Sequence, residues 1–143
     1  MNSKLIYFIV FIIIISTGAL FFINRNISKP PVSPSLWANY EIITKTIEGK
    51  KLRLVVADNY ERRQRGLMNV RKPVKNFDGM IFIFAKKEIQ TFWNMNTFED
   101  LTLYWMEDDI ITGTSDLPSI EKSKEIIRVS SPKPVNIVVE VIQ

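Results

Sequence analysis

From Tyr40 onward the sequence returns repeatedly to short runs of alternating apolar and polar residues, each closed by turn-forming residues. A side-chain period of two puts one face of each run inward, which restricts this part of the chain to a sheet-based domain. Ile42, Thr44 and Thr46 alternate with Ile43, Lys45 and Ile47; Glu48-Gly49-Lys50 offers a turn; and Leu52, Leu54 and Val56 follow. This predicts a hairpin. Asp58 then starts a short helix, capping its first turn while Glu61 reaches back in a capping box, and Gly66 supplies a left-handed stop. Arg63 and Arg65 fall in the last turn, where cations complement the carbonyl end of the helix dipole.

Pro73 to Gly79 reads as a loop, and Met80 to Phe84 is a continuous apolar run, the pattern of a strand buried on both faces. Ala85 to Gln90 returns the chain to Thr91. Leu101, Leu103 and Trp105 alternate with Thr102, Tyr104 and Met106, Glu107-Asp108-Asp109 turns, and Ile110 to Thr114 pairs back. Asp116 to Lys124 is polar and turn-rich, Glu125 to Val129 has the form of an edge strand, and Asn136 to Ile142 closes the domain. About eight short strands with one helical excursion predict a mainly β fold. The expected form is a small antiparallel β-barrel or two-sheet sandwich with one short helix, preceded by an N-terminal transmembrane helix.

That helix is expected from Leu5 to Ile23, which carries no charge and is dominated by Ile and Phe. At ~1.5 Å per residue it spans roughly 28 Å, close to the ~30 Å hydrocarbon core of a bilayer. A cleaved signal peptide is the competing reading, with Thr17 and Ala19 before the cut. The apolar run continues through Leu20 to Ile23, beyond what a signal peptide requires, and this favours an uncleaved anchor. Lys4 on one side and Arg25 and Lys29 on the other leave the orientation nearly balanced by charge. Pro30, Pro31 and Pro34 make the following segment a stiffened, extended tether. Trp37 is expected to pack on the domain already, since an aromatic gains nothing on a bare tether. The predicted organisation is an anchor or signal peptide at 1–24, a Pro/Ser-rich tether at 25–39, and a β domain at 40–143.

The chain contains neither Cys nor His. Cys/His zinc sites, thiol redox chemistry, Ser-His triads and imidazole proton shuttles are therefore excluded. Any catalysis falls to carboxylates, Lys, Tyr, Ser or Thr. No cofactor and no metal site is expected. The net charge of +4 is mild, and the densest basic cluster is only Arg62, Arg63 and Arg65, so no nucleic-acid partner is expected.

Thr91 to Thr97, reading Thr-Phe-Trp-Asn-Met-Asn-Thr, crowds aromatics and amides more closely than a core strand needs. We take Trp93, Asn96 and Thr97, with Arg63 or Arg65 nearby, as a candidate cleft for a small polar or anionic ligand. Each has an ordinary structural use as well. Trp93 would serve as a core or rim residue, Asn96 and Thr97 as turn residues, and the arginines as a solvated helix face. A carboxylate-dependent hydrolase acting on envelope material would need a pair such as Asp58 with Asp100, or Asp78 with Glu99, and the spacing selects neither. A protein-interaction module would use the Glu125 to Val129 edge.

Several pieces stand in a fixed order: Val56-Ala57-Asp58; Glu61, Arg63 and Arg65-Gly66-Leu67-Met68; Gly79 to Phe84; Phe92-Trp93 with Asn96-Thr97; and Val138-Val139-Glu140-Val141. The set resembles the uncharacterised family numbered 192 among the domains of unknown function, also catalogued as uncharacterised protein family 0127. The resemblance covers roughly Lys51 to Val141. It implies a compact, mainly β domain, often behind a signal or membrane anchor and outside the cytoplasm, and it implies no reaction. On that basis the domain is expected outside the cytoplasm with the N-terminus inside. Two departures stand out. The family's usual Phe-Trp-Met-Lys-Asn-Thr is here Phe92-Trp93-Asn94-Met95-Asn96-Thr97, which loses a cation, and its Pro-Leu-Asp is Asp100-Leu101-Thr102.

Overall fold

The computed structural model describes residues 37–74 and 76–143. The predicted anchor and most of the tether lie outside them. Among the described residues no helix is long and apolar enough to cross a membrane. Of the two units into which the chain divides, the second, Asn39–Gln143, carries the strands.

Strand β1 (Ile42–Ile47) and strand β2 (Lys50–Ala57) form the predicted antiparallel hairpin. Glu48 and Gly49 take φ of 47° and 80° at its turn, the left-handed pair whose twist matches that of the flanking strands. Helix α1 (Tyr60–Arg65) follows, ended as expected by Gly66 at φ 51°. Its cap is Asn59 rather than Asp58: the Asn59 side chain accepts a hydrogen bond from the Arg62 main-chain N at 2.9 Å. Asp58 instead pairs with the Arg62 guanidinium at 3.0 Å. The residue nearest the extended turn into the helix takes the cap, and the carboxylate finds a cation one helical turn on.

The excursion through α1 has a larger consequence. Strand β3 (Gly79–Glu88) returns parallel to β2, so the wholly antiparallel expectation fails at this one ladder. A tight turn can only reverse a strand, whereas the 58–78 connection is long enough to cross over. Strand β5 (Leu101–Glu107) and strand β6 (Ile110–Leu117) make the predicted second hairpin. Strand β8 (Val135–Ile142) lies between β3 and β5, giving a six-stranded sheet of order β1-β2-β3-β8-β5-β6. The remaining pair, β4 (Thr91–Trp93) and β7 (Arg128–Ser130), forms a separate two-stranded ladder. The edge strand expected at Glu125 to Val129 is therefore shorter, later in the chain, and paired. Within the polar stretch read as turns there is a second helix, α2 (Ile120–Ser123), capped by the Ser119 side chain on Lys122 N.

The large sheet is open, with β1 and β6 at its two ends, which corrects the β-barrel. It nonetheless curls. Lys45 on β1 meets Asp109 of the β5–β6 turn at 2.7 Å, and the Tyr104 hydroxyl on β5 donates to Glu48 of the β1–β2 turn at 3.2 Å. Side chains alternate across the sheet, so both faces are used. Ile47, Leu54, Val56, Ile81, Met106 and Val139 pack into one core. By the same alternation Val55, Met80, Phe82, Leu103, Trp105 and Val138, all buried, belong to the other. Each such side chain contributes roughly 1.5–3 kcal/mol over leaving it in water. Glu140 sits on this second face, opposite Met80 on β3 and Leu103 on β5.

Candidate functional site

Above the second face of the sheet lies a cavity of about 320 Å³ between α1, β3 and β4. β3 supplies Phe82 and Phe84, and β4 supplies Thr91, Phe92 and Trp93. Phe92 is set edge-on between two other rings, 4.8 Å from Phe82 and 5.7 Å from Trp105, which braces one wall. Trp105 itself is wholly buried, its indole N–H donating to the Ser115 hydroxyl at 2.9 Å. From α1 and the turn after it come Tyr60, Arg63 and Arg65, with Leu67 and Met68. Gly66 belongs to the same wall: a side chain there would meet the Phe82 ring, and the backbone is left-handed.

The candidate residues separate in space. Trp93, Arg63 and Arg65 all line the cavity. Trp93 is 38% exposed and carries the Arg128 guanidinium over its ring at 5.4 Å. Asn96 and Thr97 lie outside the lining and build the turn after β4. Asn96 adopts φ 55° and its carbonyl accepts from Asn69 N, while Thr97 is buried, its N–H on Asn94 O and its carbonyl taking Ile120 N. Arg63 faces the main chain: Nη1 donates to the carbonyls of Asp58 at 2.7 Å and Ile83 at 3.0 Å, and its guanidinium lies over Phe84 at 5.3 Å. It fastens α1 to β3.

The two departures in the aromatic stretch and after it are structural. Asn94 is fully buried. Its Nδ2 donates to the Pro118 carbonyl at 2.9 Å and the Ser123 hydroxyl at 2.8 Å, and its Oδ1 accepts from Ile127 N at 2.8 Å. One amide thus ties β4 to α2 and to the segment leading into β7. Asp100 accepts from Ser119 N and from the Lys122 ammonium, and these bonds hold its carboxyl below the usual range, the Lys122 bond first.

The other carboxylates considered for catalysis are also engaged. Burial alone would raise the Asp78 carboxyl, but bonds from the Arg53 main-chain N and guanidinium outweigh it and hold it low. Glu99 accepts from Lys72 N at 2.8 Å, and Asp58 pairs with Arg62. None of the four lines the cavity. Among the described residues no cluster of three acidic side chains is placed to hold a metal ion.

The carboxyl that does line the cavity is Glu140. It is 4% exposed, and its Oε2 is buried with no hydrogen-bond partner among the described residues. Burial pushes its pKa up to about 8, so the group is chiefly protonated at neutral pH. Sequence reasoning noted Glu140 only as part of a closing motif. The available signal was an acid inside the apolar run Val138-Val139-Glu140-Val141, where strand alternation points it to the same side as Val138.

The open mixed sheet with a ring-lined, acid-bearing cavity on one face defines a mainly β domain with few helices. The chain belongs to the domain-of-unknown-function family 192, described as Uncharacterized ACR, whose model matches residues 42–143. Two solved structures are similar. A Sinorhizobium meliloti protein described as a candidate transcription regulator is 27% identical, with TM-score 0.53 over 72% of this chain and 79% of that one. A protein of unknown function from Novosphingobium aromaticivorans is 19% identical and shares the fold, with TM-score 0.52 over 78% of this chain and 87% of that one. No curated protein matches the chain.

Proposed function

We propose that this chain is a binding or accessory module that holds a small polar ligand in the cavity between α1, β3 and β4. The reading rests chiefly on Glu140: a buried acid whose Oε2 has no protein partner costs stability, roughly 1–3 kcal/mol for an unmet polar group. A ligand that supplies the missing partner removes that cost. The aromatic wall of Phe82, Phe92 and Trp93 would hold its apolar part, with few polar groups setting orientation, as in most small-molecule sites. The module would be carried on a single-pass N-terminal anchor, residues 5–23, with its domain outside the cytoplasm. The uncharged run from Leu5 to Ile23 supports the anchor, and the family pattern supports the side.

The test is a thermal-shift screen of the full chain in nanodiscs against envelope sugars, short peptides, nucleotides, amines and carboxylates, repeated with Trp93→Ala. A compound present at 100 times its Kd should stabilise by about 2.7 kcal/mol, a shift of several degrees for a domain of this size. A shift that vanishes in a folded Trp93→Ala variant supports the cavity. Shifts that survive the variant unchanged place binding elsewhere and end this reading.

A further inference from the structure

Among the described residues, Glu140 Oε2 is the buried side-chain nitrogen or oxygen left without a hydrogen bond. Its strand neighbours, Met80 and Leu103, offer neither donor nor charge. The charged and titratable groups on the surrounding elements that line the cavity are Tyr60, Arg63 and Arg65, all from α1. β3 presents Phe82 and Phe84 there, and β4 presents Thr91, Phe92 and Trp93, none of which ionises near neutrality. Arg63 is directed to two main-chain carbonyls and the Phe84 ring. Arg63 is thus engaged within the protein, and no described residue supplies Glu140 Oε2 with a partner.

A carboxyl surrounded by aromatic rings has a definite preference. Ring faces are electron-rich and attract a cation, and they repel an anion placed against them. Resting on the binding role proposed above, we infer that the cavity takes an organic cation, an alkylammonium or guanidinium group, whose N–H donates to Glu140 Oε2 while Phe82, Phe92 and Trp93 surround its hydrocarbon part. This reverses the ligand charge that the arginines alone suggest. In the complex the proton leaves Glu140 for solvent and the carboxylate pairs with the bound cation, so binding adds no net charge to the cavity. A free amine and a basic side chain of a peptide present the same functional group to this cavity.

The experiment is isothermal titration calorimetry of the full chain in nanodiscs, in two buffers of different ionisation enthalpy. The probes are phenethylammonium and benzylguanidinium, set against phenethyl alcohol and phenylacetate as neutral and anionic counterparts. The two cations should bind, with proton release approaching one per cation at pH 6 and fading above pH 8. Their affinity should rise by about tenfold per pH unit up to that point and then level off, as linkage to one carboxyl requires. Glu140→Gln, which keeps the shape and cannot ionise, should lose cation affinity by about 100-fold or more and the proton release with it. Cation binding with no proton release, or binding that Glu140→Gln leaves intact, overturns the inference even when that variant folds poorly, since the first readout needs only the natural chain. Binding of phenylacetate or phenethyl alcohol that Trp93→Ala abolishes, with the cations silent, ends the cation assignment and leaves the cavity as a binding site. Failure of all four probes counts against both.

Discussion

A methyl group on Gly79 would run into the main-chain carbonyl oxygen of Glu140, because β3 and β8 pass each other there in backbone contact. Both partners are main chain, so neither can rotate away. Gly79→Ala should destabilise the domain by at least about 3 kcal/mol, read as the urea midpoint at constant slope. A loss under about 1 kcal/mol would show that the strands can part there without penalty.

The pH dependence of stability should carry the mark of Glu140. Its carboxyl titrates at about 8 when folded and near the ordinary carboxylate value when unfolded, so the folded state holds an extra proton between the two. The associated stability is full below the unfolded value and is lost as pH rises towards 8, by up to about 1.4 kcal/mol per unit. Asp78 and Asp100 have lowered values, so their contribution is present above the ordinary Asp range and is lost in acid. Denaturation curves from pH 3 to 9 should peak in mildly acidic solution. Glu140→Gln should flatten the alkaline side and leave the acid side as it is.

Asn94→Ala should cost at least about 2 kcal/mol, since it strands the Ile127 N–H and the Pro118 carbonyl in the interior. Hydrogen exchange should quicken at Ile127 and around α2. A variant that exchanges like the natural protein would mean the amide is replaceable.

The two tryptophans on the cavity side should separate by function. Trp93→Ala removes a residue 38% exposed and should lower stability by less than about 1.5 kcal/mol. Trp105→Ala empties a fully buried site and should cost about 3–5 kcal/mol. Chemical denaturation of the pair decides this, and equal losses would make Trp93 a core residue.

Capping can be checked by a matched pair on α1. Asn59→Ala should lose about 1 kcal/mol, and Asp58→Ala, which removes only a half-exposed ion pair, about 0.5 kcal/mol or less. The reverse order would restore Asp58 to the cap.

What could be read from residues alone was local. The β1–β2 and β5–β6 hairpins follow from alternation plus turn chemistry at Glu48-Gly49 and Asp108-Asp109, and Gly66 ends α1 because only a left-handed position fits there. The parallel ladder of β2 with β3 was not legible, since partner choice is settled by a crossover and alternation is the same in either direction. The short β4–β7 ladder depends on Asn94, whose bonds reach Pro118, Ser123 and Ile127, 24 to 33 residues away. Trp93, Arg63 and Arg65 were brought to one cavity from two elements, while Asn96 and Thr97 went to a turn for which Asn and Thr are well suited. Glu140 went unread because strand patterning marks which side a residue faces and not what stands opposite it.

The placement of β8 sets an order of events for the whole domain. It is the last of the eight described strands, yet it alone joins β1-β2-β3 to β5-β6 in the large sheet. On a ribosome, therefore, two sheet fragments with unpaired inner edges must wait until Val135–Ile142 emerges, and the strand that completes them brings the Glu140 carboxyl in with it. Loop closures of this length make folding slow and leave those edges open to mispairing meanwhile. A stop codon just before Val135 would remove the middle of the sheet, and a chaperone that shields strand edges would matter most in the moments before that strand is free.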